Sequence, residues 1–217
     1  MRHVHPIYHP SRKVLDFESA VLLGLHAGDG WISGRWGIAA HSKDKRMISE
    51  VIKLVRDVLG VEPSVATNSD HTTAIMSQKR QVIQFFKKYG FPEGRKSSTV
   101  KVPSAVFTSS SEVKRGFLRG LFSADGCFYK EGFRGECRME VASKPLRDGF
   151  VLLSSDLGFG FRKYSYVHHG GHNKLPLHVA YLGRQPDVIR WMREVGSICD
   201  AHVKRFRLLM RSNKNRK

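Results

Sequence analysis

Apolar residues recur at helical spacing in two stretches of this chain, and both stretches end the same way. Residues 22–30 read LLGLHAGDG, and residues 118–126 read LRGLFSADG. Each pattern predicts an apolar helix that stops on a small residue, an aspartate and a glycine. The segments that follow also correspond. WISGRWGIAAHSK predicts a hairpin with Gly34 in the turn region, and CFYKEGFRGECRMEVASK predicts one with a longer tip holding Gly132 and Gly135. Both hairpins end in Ser-Lys, at Ser42-Lys43 and Ser143-Lys144. A helical segment then closes on Leu59-Gly60 or Leu157-Gly158. Two extended segments surround TNSDHTT in one copy and HHGGHNK in the other, and the helices QVIQFFKKYG and PDVIRWMREVG follow. A unit of roughly 100 residues is too long for a solenoid repeat. The pattern predicts an α+β protein of two pseudo-symmetric αββαββα halves, residues 1–110 and 111–217, paired through the motif helices.

Period-2 alternation assigns faces to some strands. Cys137, Met139 and Val141 alternate with Glu136, Arg138 and Glu140; Trp36, Ile38 and Ala40 alternate with Arg35, Gly37, Ala39 and His41. Leu175, Leu177 and Val179 alternate with Lys174 and His178. The apolar members are expected to pack on helices and the polar ones to form an open face. The stretch ATNSDHTTAIMSQK alternates too poorly for a face assignment.

The motif helices raise an electrostatic problem. Gly24 and Gly28, and Gly120 and Ala124, stand four apart and so share a helix face, which lets two backbones approach more closely than the usual ~8–10 Å. Gly30 and Gly126 are expected to supply left-handed stops. Asp29 and Asp125 would then meet at two helix C-termini. There the dipole is negative and carbonyls lack partners, so a carboxylate costs stability. A divalent cation resolves that conflict, and hard oxygen donors favour Mg²⁺, with Mn²⁺ as a substitute.

Charge narrows the function class. Lys and Arg number 37 against 19 Asp and Glu, a formal +18 spread over both halves. Such a field attracts polyanions, above all nucleic acid. Hydrophobic residues make up 41% of the 217, as in a folded globular chain. Cys127, Cys137 and Cys199 form no CxxC pair, which argues against a disulfide framework and suggests a reducing, intracellular setting, cytoplasmic or nucleoid-associated or within an organelle. No apolar run approaches ~18 residues, so no membrane span is expected.

With these residues in view, the two motifs resemble those of the LAGLIDADG homing endonucleases, in the single-chain form with two motifs. His26-Ala27 and Phe122-Ser123 replace Ile-Asp of the family's name sequence, and Gly28 replaces its second Ala. The resemblance implies saddle-shaped antiparallel sheets for DNA. It implies a catalytic metal held by Asp29 and Asp125, with the carbonyls of Gly28 and Ala124 as further contacts. It also implies a basic catalytic residue late in each half: Lys101 in STVKVPSAVF and Lys204 in AHVKRFRLL. At the end of the second strand, where the family often has Gln, Asn or Lys, this chain has His41 and, in the other half, Ala142-Ser143.

The resulting expectation is a metal-dependent double-strand DNA endonuclease acting as a monomer on an asymmetric site of roughly 20 base pairs, about two turns of duplex. Arg35, His41, Arg134, Arg138, Glu140, Lys163, Lys174 and His178 are the candidate DNA-binding residues. Two rivals share the fold: a maturase acting on its host intron RNA, and a catalytically inactive DNA-binding regulator. The cluster His168, His169, His172 and His178 lacks metal-site spacing and is read as a DNA-touching hairpin tip or a solvated loop. VKRFRLLMRS predicts a terminal helix with Phe206, Leu209 and Met210 inward. No room for a protein-splicing domain is evident, which favours a free-standing, intron-encoded origin.

Overall fold

Helix α1 (Phe17–Asp29) starts where the Asp16 carboxylate accepts from Ser19 N at 2.9 Å, and α5 (Ser111–Asp125) starts where Ser110 Oγ accepts from Val113 N. In each, the side-chain oxygen satisfies an orphan amide, and Glu18 or Glu112 adds favourable charge to the first turn. The computed structural model describes residues 15–167 and 176–214. His168, His169, His172 and Lys174 lie outside the described residues.

Each motif helix runs directly into a strand. The first sheet contains β1 (Gly30–Ile32), β2 (Trp36–His41), β3 (Ser64–Thr67) and β4 (Thr72–Ser77), in the order β1-β2-β4-β3. The second contains β5 (Gly126–Glu131), β6 (Arg134–Val141), β7 (Arg162–Val167) and β8 (Pro176–Leu182), in the order β5-β6-β8-β7. All pairings are antiparallel. Helices α2 (Lys45–Leu59) and α6 (Lys144–Asp156) cross between hairpins, capped by Asp44 and Ser143. Gly60 and Gly158, at φ +62° and +78°, provide the left-handed exits. Helices α3 (Arg80–Lys88) and α7 (Gln185–Glu194) close the two halves, α4 (Ser104–Phe107) precedes the second motif helix, and α8 (Asp200–Lys214) is terminal. This is the α+β architecture of two four-stranded sheets that the repeat predicts.

The glycines that end the motif helices act differently from the left-handed stops expected of them. Gly30 (φ −86°, ψ 159°) and Gly126 (φ −83°, ψ 162°) are extended and already belong to strands. Space, not backbone freedom, selects glycine here. A Cβ at Gly30 would stand 2.1 Å from His26 Nδ1, and one at Gly126 would stand 2.2 Å from Phe122 O.

The helix pair α1–α5 forms the centre of the molecule. A Cβ on Gly24 would lie 2.1 Å from Phe117 O, and one on Gly120 would lie 2.0 Å from Val21 O. The two backbones therefore touch along this line, which any side chain would prevent. Around the pair, each half builds an aromatic core. Trp36 stacks on Phe86 at 5.0 Å in one; Trp191 meets Phe161, Phe159, Phe150 and Phe122 at 4.8–5.7 Å in the other. Helix α8 ties the halves together at the periphery. Asp200 N donates to Asp44 Oδ2 at 2.9 Å, Leu209 is fully buried, and Phe206 meets Phe128 edge-on.

Candidate metal centre and nucleic-acid interface

Because α1 and α5 pack backbone to backbone and end level, their last residues converge. A Cβ on Gly28 would be 2.6 Å from Ala124 Cβ and 3.0 Å from Asp125 Oδ2. Asp29 and Asp125 are thus brought to one place, largely shielded from solvent. Burial pushes both carboxyls upward, and the neighbouring Asp29 charge adds to the effect on Asp125, which reaches about 7. Two carboxylates that resist ionisation side by side form a site that favours a cation.

One cation is built in. Lys96 Nζ donates to Ala27 O at 2.7 Å and to Gly28 O at 2.6 Å, satisfying carbonyls that the end of α1 leaves free. The residue is 8% exposed. Burial lowers its ammonium, while Asp125 and Asp29 pull it back up. Asp125, Gly28, Lys96, Ser97, Glu140 and Ala142 line a cavity of ≈ 170 Å³. Among the described residues, no group of three or more His, Cys, Asp or Glu side chains is arranged to hold a metal. A metal here would rest on Asp29, Asp125 and backbone carbonyls. Hard oxygen donors, buried and short of positive charge, fit a divalent ion of the Mg²⁺ type.

The lysines expected to serve this site lie elsewhere. Lys101 is exposed and lines a separate hollow with Lys88, Tyr89 and Pro103. Lys204 Nζ pairs with Asp200 Oδ2 at 2.5 Å, its side chain 68% exposed, and lines a hollow with His41, Lys43 and Cys199. The charges that act on Asp125 are those of Asp29 and Lys96. The repeat alignment selects Lys101 because Val100-Lys101 matches Val203-Lys204. Sequence offers only a weak signal for Lys96, a lone cation in the small, polar stretch EGRKSS. At the strand ends, Ser143 is buried, caps α6 and donates to Val100 O, whereas His41 is exposed and accepts from Lys43 N at 3.2 Å.

The end of α5 is finished without a lysine. Ser123 Oγ donates to Arg119 O at 2.6 Å and accepts from Ile198 N at 2.9 Å. It also lies 3.2 Å from Ser197 Oγ, which reaches His202 Nδ1 at 2.9 Å. His202 is lowered to about 4, first by burial and then by Arg205. His26, at the α1 end, falls to about 3 through burial and Lys96; its Nδ1 accepts from Trp36 Nε1.

The open faces of the sheets hold some of the candidate DNA residues. Arg134, Arg138 and Glu140 alternate with buried Gly135, Cys137, Met139 and Val141, and so share the open face. Arg138 pairs with Glu140 at 2.8 Å, and Tyr166 Oη donates to Glu140. Arg35 is exposed in the β1–β2 turn. His178 and Lys163 are corrections. His178 sits opposite Val141, is 8% exposed and bonds Ser165 Oγ at 2.7 Å. It faces the helices, and Val179, opposite Glu140, takes the open face. Lys163, opposite Ala180, reaches Asp148 of α6 at 3.4 Å, on the helix side.

Two interlocked halves, each a motif helix leading into a four-stranded antiparallel sheet, define the class of protein. Residues 112–215 match a family model described as a LAGLIDADG-like domain. The second half of the chain is therefore a LAGLIDADG-like domain, and the two-motif fold of the whole chain is the LAGLIDADG fold. A structure of mesophilic variants of the homing endonuclease I-DmoI superposes with a TM-score of 0.61, covering 83% of this chain and 95% of that one at 18% identity. I-DmoI in complex with DNA and Mn gives 0.59, also at 18% identity, covering 83% and 96%. Full-length WhiA from Thermatoga maritima gives 0.60 at 10% identity, covering 93% of this chain and 62% of that one. These identities establish the fold.

Among curated proteins, the chain is 28% identical over 145 residues to the catalogued A-type ATP synthase protein of Pyrococcus abyssi, covering 67% of this chain. It is 28% identical over 138 residues to the tRNA-splicing ligase RtcB of the same organism, covering 56%. It is 25% identical over 149 residues to the DNA-directed RNA polymerase component Rpo1C of Methanocaldococcus jannaschii, covering 66%. The match spans only 14%, 15% and 16% of those proteins, respectively. No helix among the described residues is long and apolar enough to cross a membrane.

Proposed function

We propose that this protein is a divalent-metal-dependent endonuclease that breaks both strands of a long, asymmetric DNA site. The observation that carries the reading is the pair of buried carboxylates, Asp29 and Asp125, held together by two glycine-packed helices. Their placement costs stability, and only a use for concentrated negative charge justifies it. The fold neighbours add support, since I-DmoI is described in complex with DNA and Mn. The curated relatives add more. Three proteins with unrelated named activities share this segment as a minor part of their length, which is how a mobile endonuclease module distributes itself.

Each residue then has a role. Asp29, Asp125 and the carbonyls of Gly28 and Ala124 would hold Mg²⁺ or Mn²⁺. The bound ion supplies a water of lowered pKa and an electrophile for the phosphate oxygens. Lys96 is positioned to stabilise negative charge beside the carboxylates. Arg134, Arg138 and Glu140 offer donors and acceptors to base edges in the major groove. The basic surface supplies salt-dependent affinity for phosphates.

The test uses purified full-length protein, Mg²⁺ and a library of randomised duplexes about 30 base pairs long, with the ends of cleaved molecules sequenced. Cleavage products sharing one non-palindromic site near 20 base pairs support the reading. A palindrome of about six to eight base pairs would point to a dimeric enzyme instead. Site-selective binding without cleavage would favour an inactive regulator. Retention of intron RNA in preference to duplex DNA would favour a maturase.

A further inference from the structure

Lys96 occupies a position that the metal reading assigns to another cation. Its ammonium is bonded to the carbonyls of Ala27 and Gly28 and acts electrostatically on both Asp29 and Asp125. The backbone around it is fixed: Lys96 O accepts from Val100 N at 2.8 Å and from Thr99 N at 3.0 Å. Only the flexible tetramethylene stem can move. An ammonium and a divalent ion compete for Gly28 O and repel each other at such separations.

We infer that Lys96 is a tethered counter-ion, which holds the two helix ends in the absence of metal and gives up the Gly28 carbonyl when a divalent ion binds. The inference rests on the metal reading of Asp29 and Asp125. Without any cation, two carboxylates and two helix C-termini would face each other. Lys96 neutralises them in the metal-free protein and thereby weakens metal affinity. At the α5 end the neighbouring groups are the neutral Ser123, Ser197 and His202, which compete with no cation.

The experiment compares full-length wild type with Lys96→Met, which keeps the stem and removes the charge. Melting is followed in chelator and in Mg²⁺, and Mn²⁺ binding is measured by calorimetry without DNA. The variant is expected to melt several degrees lower than wild type in chelator, to recover in Mg²⁺, and to bind Mn²⁺ about threefold or more tighter. An unchanged or weaker Mn²⁺ affinity, with an unchanged metal-induced shift in melting, overturns the inference. If the variant fails to fold in chelator, folding on addition of Mn²⁺ supports it and failure to fold overturns it. Asp29→Asn separates the two readings. If wild type and Asp29→Asn bind Mn²⁺ equally, the metal site itself is wrong. If Asp29→Asn binds more weakly while Lys96→Met binds no tighter, only the counter-ion role fails.

Discussion

On the first sheet the open face is built from Gly37, Ala39, Ala66, Ala74 and Met76, with the Trp31 ring laid so closely over Gly37 that a Cβ there would stand 2.3 Å from it. On the second sheet the register-equivalent positions hold Arg138, Glu140, Tyr164, Val179 and Tyr181. Strand order and pairing are the same; the chemistry is not. The first face can offer shape and apolar contact, the kind that meets a thymine methyl. The second offers directed hydrogen bonds. It is also partly self-paired: Glu140 is engaged by both Arg138 and Tyr166, and Arg138 lies 5.9 Å from the Tyr164 ring centroid. The helix ends differ in the same way, with a lysine at Gly28 and a neutral serine–histidine network beside Ala124. A duplicated fold has kept its backbone and glycine contacts while its two working surfaces have become unlike.

The largest effects fall on what the halves share. Asp29→Asn or Asp125→Asn is expected to slow double-strand cleavage by at least about a thousandfold while DNA binding persists. Single-turnover cleavage alongside a binding titration checks this. Near wild-type cleavage by either variant would show that the two carboxylates do not work as a pair. Next comes the shared helix seam. Gly24→Leu and Gly120→Leu each force side chains into facing backbone, and each is expected to cost about 3 kcal/mol or more in denaturant unfolding. A loss in only one of them would break the pseudo-symmetry of the seam.

The remaining effects fall on what differs. Burial holds His202 near 4 in the folded chain. Its imidazole takes up a proton below about 6.5 only when unfolded, so stability is full above that pH and declines as pH falls towards 4. The loss at the lower limit is up to about 3 kcal/mol. Asp44 and the Gly126 backbone oppose the shift, and Arg205 reinforces it. His202→Gln should flatten this part of the acid-unfolding profile; an unchanged slope would mean that His202 is not the group responsible. The smallest effect concerns base reading. Arg138→Ala is expected to cost about 1–3 kcal/mol of discrimination, confined to one half of the selected DNA site. Relaxed selectivity in both halves would contradict the division of labour between the sheets.

Sequence alone determined the features that repeat locally. The two apolar helices ending in Asp-Gly, the hairpins after them and the alternation in β2 and β6 are short-range patterns, and each appears in the structure where the pattern puts it. The +18 charge is likewise a sum that needs no fold. Tertiary structure decided whatever depends on contacts between distant residues. β8 misleads because both Val179 and Ala180 are fully buried, so its period-2 signal does not identify the core face, and His178 goes inward with Ala180 and Leu182. Gly30 and Gly126 resemble helix stops, yet what they avoid is a clash with residues one turn earlier. Lys96 lies 68 residues from Gly28, and nothing local separates it from Lys101. The loop after α3 delivers one lysine to the aspartates and turns the other to solvent, and that selection exists only once the two helix ends have met.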